Sequence, residues 1–95
     1  MMPTNWPRRF AELQKLDGAE WDALYDKIVT EWRAEFRAAF LDWAWRRGWR
    51  YEDAHSWLND GDLAEDAYNE YHVNFTPQEA GEHAVIECER EIANS

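Results

Sequence analysis

Trp21, Trp32 and Trp43 stand eleven residues apart, and that spacing constrains the chain more than any other feature. Eleven residues make three helical turns with about 20° left over. The three indoles therefore leave one side of a single helix. Ile28, Phe36 and Ala39 fall on the same side, flanked by Leu24, Tyr25 and Phe40. A second apolar line, Ala34, Ala38, Leu41 and Trp45, begins nearly opposite. Apolar residues on two sides predict a helix buried between neighbours. The segment from about 18 to 47 is thus read as the spine of the fold.

The remaining elements follow from caps and breakers. Asn5 caps a first helix in which Trp6, Phe10 and Leu13 recur at helical spacing, ending near Leu16. Asp17-Gly18 is the break, and Asp17 with Glu20 forms a capping-box-like start for the spine. Gly48 stops the spine, whose length leaves open a bend near Val29-Thr30. A short helix over about 52–58 presents Ala54, Trp57 and Leu58. Asn59-Asp60-Gly61 is a turn, and a helix over about 62–72 buries Leu63, Ala64, Ala67, Tyr68 and Tyr71. Val73-Asn74-Phe75 is expected to be extended and to pack inward. Thr76-Pro77-Gln78-Glu79 places Thr at N-cap, Pro at N1 and Glu at N3. It launches a helix over 77 to about 92 that buries Ala80, Ala84, Val85, Cys88 and Ile92. No alternating strand pattern appears. The expected fold is all-α: one domain over 1–95, a compact bundle of four to five helices around the long central Trp-rich helix.

Charge is distributed unevenly along this scaffold. Residues 1–50 carry 9 Lys and Arg against 8 Asp and Glu. Residues 51–95 carry 12 Asp and Glu against Arg90 alone, a net of −11. Such a half repels nucleic acid and anionic membrane and attracts basic surfaces. No stretch reaches the ~20 apolar residues of a membrane span. The opening Met1–Phe10 lacks the apolar core of a secretory leader. One cysteine, Cys88, excludes an internal disulfide and a cysteine-rich zinc site. This usage fits a reduced cytoplasm, including that of a host cell.

The carboxylates are the candidate partner-binding residues. Asp62, Glu65, Asp66 and Glu70 share one helix face, with roughly one charge per 3 Å of axis. A DNA strand carries one per about 3.4 Å. The bland alternative is a solvated face serving solubility. On the last helix Glu79, Glu82, Glu87 and Glu89 face outward around Ile86, an apolar anchor ringed by acids or an ordinary single exposed apolar residue. The run Trp43-Ala44-Trp45-Arg46-Arg47-Gly48-Trp49-Arg50-Tyr51 has the composition of a stacking platform for single strands, but reads better as core aromatics with helix-end arginines.

Catalytic signals are weak. Glu79, His83 and Glu87 share a helix face without a His-x-x-x-His core, poor spacing for zinc. Asn59-Asp60-Gly61-Asp62 lacks the order of a calcium loop. Ser56 beside His55 is adjacency in sequence, not a triad. Cys88 lies on the inward face, and no Gly-rich phosphate loop exists. The expectation is no enzyme, no cofactor and no metal.

In length, the acidic half and the carboxylate row at Asp62, Glu65, Asp66 and Glu70, the chain resembles small acidic phage-type inhibitors of host defence, the anti-CRISPR and DNA-mimicking anti-restriction proteins. The resemblance is one of class and carries no ordered motif. It implies a stoichiometric inhibitor that occupies the basic nucleic-acid-binding surface of a host effector, without binding nucleic acid itself. Read from the charge layout and not from the resemblance, Glu65, Asp66, Glu70, Glu82 and Glu89 would be rim charges and Ile86 the anchor, with Asp62 and Glu79 also on the partner-binding surface. Two alternatives are an immunity protein or antitoxin against a basic toxin, and a helical adaptor that oligomerises through the second apolar line. Either a monomer or a homodimer fits.

Overall fold

The computed structural model describes residues 4–60 and 62–94. Among them are five α-helices and no strand: α1 (Trp6–Glu12), α2 (Gly18–Arg46), α3 (Tyr51–Asn59), α4 (Leu63–Tyr71) and α5 (Pro77–Asn94). The all-α expectation holds, with the long helix unbroken through Val29-Thr30. The chain divides into two compact units, Met1–Glu31 and Trp32–Ser95.

In the first unit, the Asn5 side chain accepts a hydrogen bond from the Arg8 amide at 3.1 Å and so caps α1. That helix is shorter than its spacing suggested, because Leu13–Lys15 tighten into a 3₁₀ turn. Trp6 and Leu13 are buried. Arg9 lies over the Trp6 ring and pairs with Glu31 at 2.6 Å. The expected Asp17–Glu20 box does not form, since α2 opens on Gly18 with φ +62°. Trp21 stacks on Tyr25 with centroids 4.8 Å apart.

The second unit is organised by the C-terminal part of α2. Its fully buried residues are Trp32, Phe36, Phe40 and Ala44, an i, i+4 row rather than the eleven-residue tryptophan line. Trp43 is only half-buried. An i, i+4 ridge winds slowly about its helix and is the surface that neighbouring helices commonly pack against. The expectation of burial on two sides fails. Ala34 and Ala38 are exposed, Leu41 is half-buried, and Trp45 is 70% exposed.

Gly48 stops α2 as expected. With φ +85° it allows Gly48 N–H to reach the Trp45 carbonyl at 3.0 Å and Trp49 N–H the Ala44 carbonyl at 2.9 Å. These two bonds are the Schellman closure. It turns Trp49 edge-on to Phe40, with centroids 5.8 Å apart.

Helix α5 runs alongside α2 in the same direction. Gln78 donates to Glu35 at 3.1 Å, Gly81 lies against Ala39 and Phe40, and Arg47 donates to Glu89 at 2.6 Å. Each step along α2 is matched by a step along α5. The capping box forms as read: Thr76 N–H donates to Glu79 Oε1 at 3.0 Å, and Glu79 N–H to Thr76 Oγ1 at 3.2 Å. Ala80, Ala84, Val85 and Cys88 are buried, but Ile92 is 55% exposed, against expectation.

Helix α4 meets α2 through Tyr68, edge-on to Trp32 at 5.5 Å and under the Arg33 guanidinium. Val73 and Asn74 form a turn instead of an extended segment, and Val73 is 77% exposed. Phe75 alone turns inward, half-buried in a ring cluster with Tyr71 and His83. Gly61, at the centre of the expected turn, lies outside the described residues. No helix among the described residues is long and apolar enough to cross a membrane.

Candidate functional site: an acid-rimmed groove between α4 and α5

The acidic half does not present one continuous face. Asp62 is not in α4 at all. It is the N-cap residue, held in the left-handed region at φ 55°. Its side chain hydrogen-bonds Glu65, and this bond, followed by the charge of Asp62, raises the Glu65 pKa above the usual carboxylate value. Arg33 opposes the rise. Asp62 thus disfavours the charged form of Glu65, and the cation that acts against it, Arg33, belongs to the same chain.

Asp66 and Glu70, one turn apart on α4, point elsewhere. They line a groove of about 290 Å³ together with Glu87 and Glu91, one turn apart on α5. Trp57 of α3, Leu63, Ala67, Ala84 and Cys88 supply its apolar lining. The groove exists because small side chains, Ala67 and Ala84, stand where the two helices face each other. A larger hollow of about 420 Å³ also touches Trp57 and is lined by Trp49, Arg50, Asp53, Ser56 and Ile92. Its charges, Arg50 and Asp53, balance; those of the α4–α5 groove do not.

Two neighbouring groups report the field inside the groove. Burial is the main cause that pushes the Cys88 thiol from its ordinary 9.0 to about 11, and Glu91, Glu87 and Glu89 add to it. Tyr71 is raised as well, by burial first and then by Glu70 and Glu87. Both shifts carry the sign of a negative potential on a partly dry surface. Among the described residues the cation paired with a groove carboxylate is Arg90, which meets Glu87 at 3.0 Å while remaining largely exposed.

The other candidate residues disperse. Glu79 is engaged in the cap of α5. Glu82 is exposed, away from the groove lining. Ile86 is half-buried. Glu89 is folded back on the first fifty residues: Arg47 donates to one oxygen at 2.6 Å and the Trp49 indole N–H to the other at 3.2 Å. It closes the α2–α5 seam instead of standing free at a rim.

Asp66 and Glu70 are thus joined by Glu87, which sequence reasoning had placed on the outward face, and by Glu91 and Trp57, which it did not include. The available signal was a pair of i, i+4 carboxylates on each of two helices, next to small inward residues. Among the described residues no three His, Cys, Asp or Glu side chains gather where they could hold a metal ion. His83 Nδ1 instead lies 3.3 Å from the Tyr71 hydroxyl.

Chemically, the groove suits a long cationic side chain. The methylene stem of Lys or Arg can lie on Trp57 and the alanines, with its charged head among the carboxylates. Comparison with protein-family models, with curated proteins and with solved structures found no match to the chain.

Proposed function

We propose that the protein is a stoichiometric, non-catalytic inhibitor that docks its α4–α5 groove on the basic nucleic-acid-binding surface of a host effector, of the anti-CRISPR or anti-restriction kind. Asp66, Glu70, Glu87 and Glu91 take the place of phosphates, and Trp57 receives the aliphatic stems of the lysines or arginines that would otherwise hold nucleic acid. The observation that carries the reading is the set of four carboxylates from two helices in a groove with an apolar lining, of which Glu87 is paired, with Arg90. A carboxylate row that served solubility alone would need no such lining. Association driven by this charge is fast and weakened by salt.

The test is DNA cleavage by purified CRISPR effector complexes, restriction endonucleases and DNase toxins, with the protein added at one to two molar equivalents. One member of the panel should lose at least nine-tenths of its activity. The Glu70→Lys/Glu87→Lys variant should restore cleavage, and 300 mM salt should weaken binding relative to 50 mM by tenfold or more. Equal inhibition by the charge-reversed variant, or none by the wild type across the panel, would refute the reading. Inhibition confined to the DNase toxins would reassign the protein as an immunity protein using the same groove.

A further inference from the structure

The solvent-facing side of α2 carries a feature that the acidic groove does not use. Ala34, Ala38, Leu41 and Trp45 recur at steps of four, three and four residues. That is the spacing of the seam residues in a two-helix coiled coil. The stripe lies opposite the buried Trp32, Phe36 and Phe40, and both alanines and most of Trp45 are in water. Tyr51, 65% exposed, stands beside Trp45 across a small hollow shared with Leu41 and Trp49. Alanine at two of four seam positions lets another helix approach closely.

The flanks of the stripe decide what can cover it. One edge carries Arg37, which is exposed and makes no ion pair among the described residues. The other edge carries Glu35 and Asp42, the latter exposed and paired only with Arg46 of its own helix at 3.1 Å. We propose that this stripe is a self-association surface on which two copies of the chain pair through α2, the two helices running parallel. About a two-fold axis along the helices, the Arg37 edge of each copy meets the acidic edge of the other. The heptad register then sets Arg37 against Asp42 of the second copy, twice. An antiparallel pair would set Arg37 against Arg37 and Asp42 against Asp42. The stripe is self-complementary in one orientation only.

The patch is smaller than the roughly 800 Å² per partner of a standard stable interface. Pairing is therefore concentration-dependent, with half-association expected in the range of about 10 µM to 1 mM.

Sedimentation velocity from 10 µM to 1 mM in 50 mM salt tests this, with circular dichroism to confirm that each variant keeps its helices. The wild-type mass should climb from 11.4 kDa toward twice that value. Trp45→Glu should stay monomeric. Arg37→Asp should weaken association at least fivefold, and Arg37→Asp/Asp42→Arg should regain it, because the swap preserves parallel pairing and leaves antiparallel repulsion in place. A wild type that remains at 11.4 kDa through 1 mM overturns the proposal and leaves the stripe to a different protein. Association of Trp45→Glu at wild-type strength overturns it too, as does failure of the double swap to recover what Arg37→Asp loses. None of these residues lines the acidic groove, so the outcome is independent of the inhibition assay.

Discussion

At Gly81 a methyl group has nowhere to go: an added Cβ would sit 2.8 Å from the Ala39 Cβ and 2.9 Å from the Phe40 nitrogen. Glycine inside a helix costs about 1 kcal/mol relative to alanine. On propensity alone, Gly81→Ala should stabilise α5. The backbone of α2 cannot yield by the several tenths of an ångström required, and overpacking of this kind costs about 1–3 kcal/mol. The prediction is a net loss of stability in urea denaturation, up to about 2 kcal/mol, the difference of those two effects. A gain would mean that α2 and α5 are not in contact there. Cys88 supplies a second residue-scale test. With its thiol held at about 11, reaction with a disulfide reagent near pH 8 should run about 100-fold slower than in urea, from the thiolate fraction alone. The same shift fixes a pH dependence. The unfolded chain releases this proton above about 9, while the folded chain keeps it until about 11. Cys88 therefore makes stability fall between pH 9 and 11, and Cys88→Val should flatten that part of the curve. Tyr71, also raised, acts in the same direction at higher pH.

At the scale of helices, local chemistry was legible and partnership was not. The Thr76–Glu79 box and the Gly48 stop were readable because caps depend on a few neighbouring residues. Replacing Thr76 with alanine should cost about 1 kcal/mol in thermal or urea unfolding. An unchanged midpoint would deny the box any role in α5. The failures are tertiary. The eleven-residue tryptophan line was a true periodicity, but the buried row of this part of α2 is the i, i+4 ridge through Phe36 and Phe40, and α5 meets α2 at Glu35, Ala39 and the Phe40 backbone. That leaves Trp43 half-buried and Trp45 in solvent. Glu89 was read as free because its partner, Arg47, lies 42 residues away in the turn that ends α2. A double-mutant cycle on Arg47→Ala and Glu89→Ala should return a coupling of about 0.5–1 kcal/mol, the upper part of the range for exposed pairs, because Trp49 also holds the carboxylate. A coupling of zero would show that the pair contributes nothing to the seam.

For the molecule as a whole, the imbalance of charge was plain in the sequence, but its shape was not. A linear reading grouped Asp62, Glu65, Asp66 and Glu70 as one row because they share a helix face. Folding splits them: Asp62 stands at the N-cap beside Glu65, on which Arg33 also acts, and the second two join Glu87 and Glu91 across a groove lined by Trp57. Which carboxylates meet depends on how α4 and α5 pack, and that is set by Ala67 and Ala84, not by the acids. The most direct measurement is a titration with a lysine-rich amphipathic peptide of about fifteen residues, followed by amide and indole NMR shifts at 50 and 300 mM salt. The account predicts saturable shifts centred on Trp57, Ala67, Glu70 and Ala84, weakened at the higher salt and lost in Glu70→Lys/Glu87→Lys. Shifts spread evenly over the acidic half, or unchanged by the charge reversal, would contradict it.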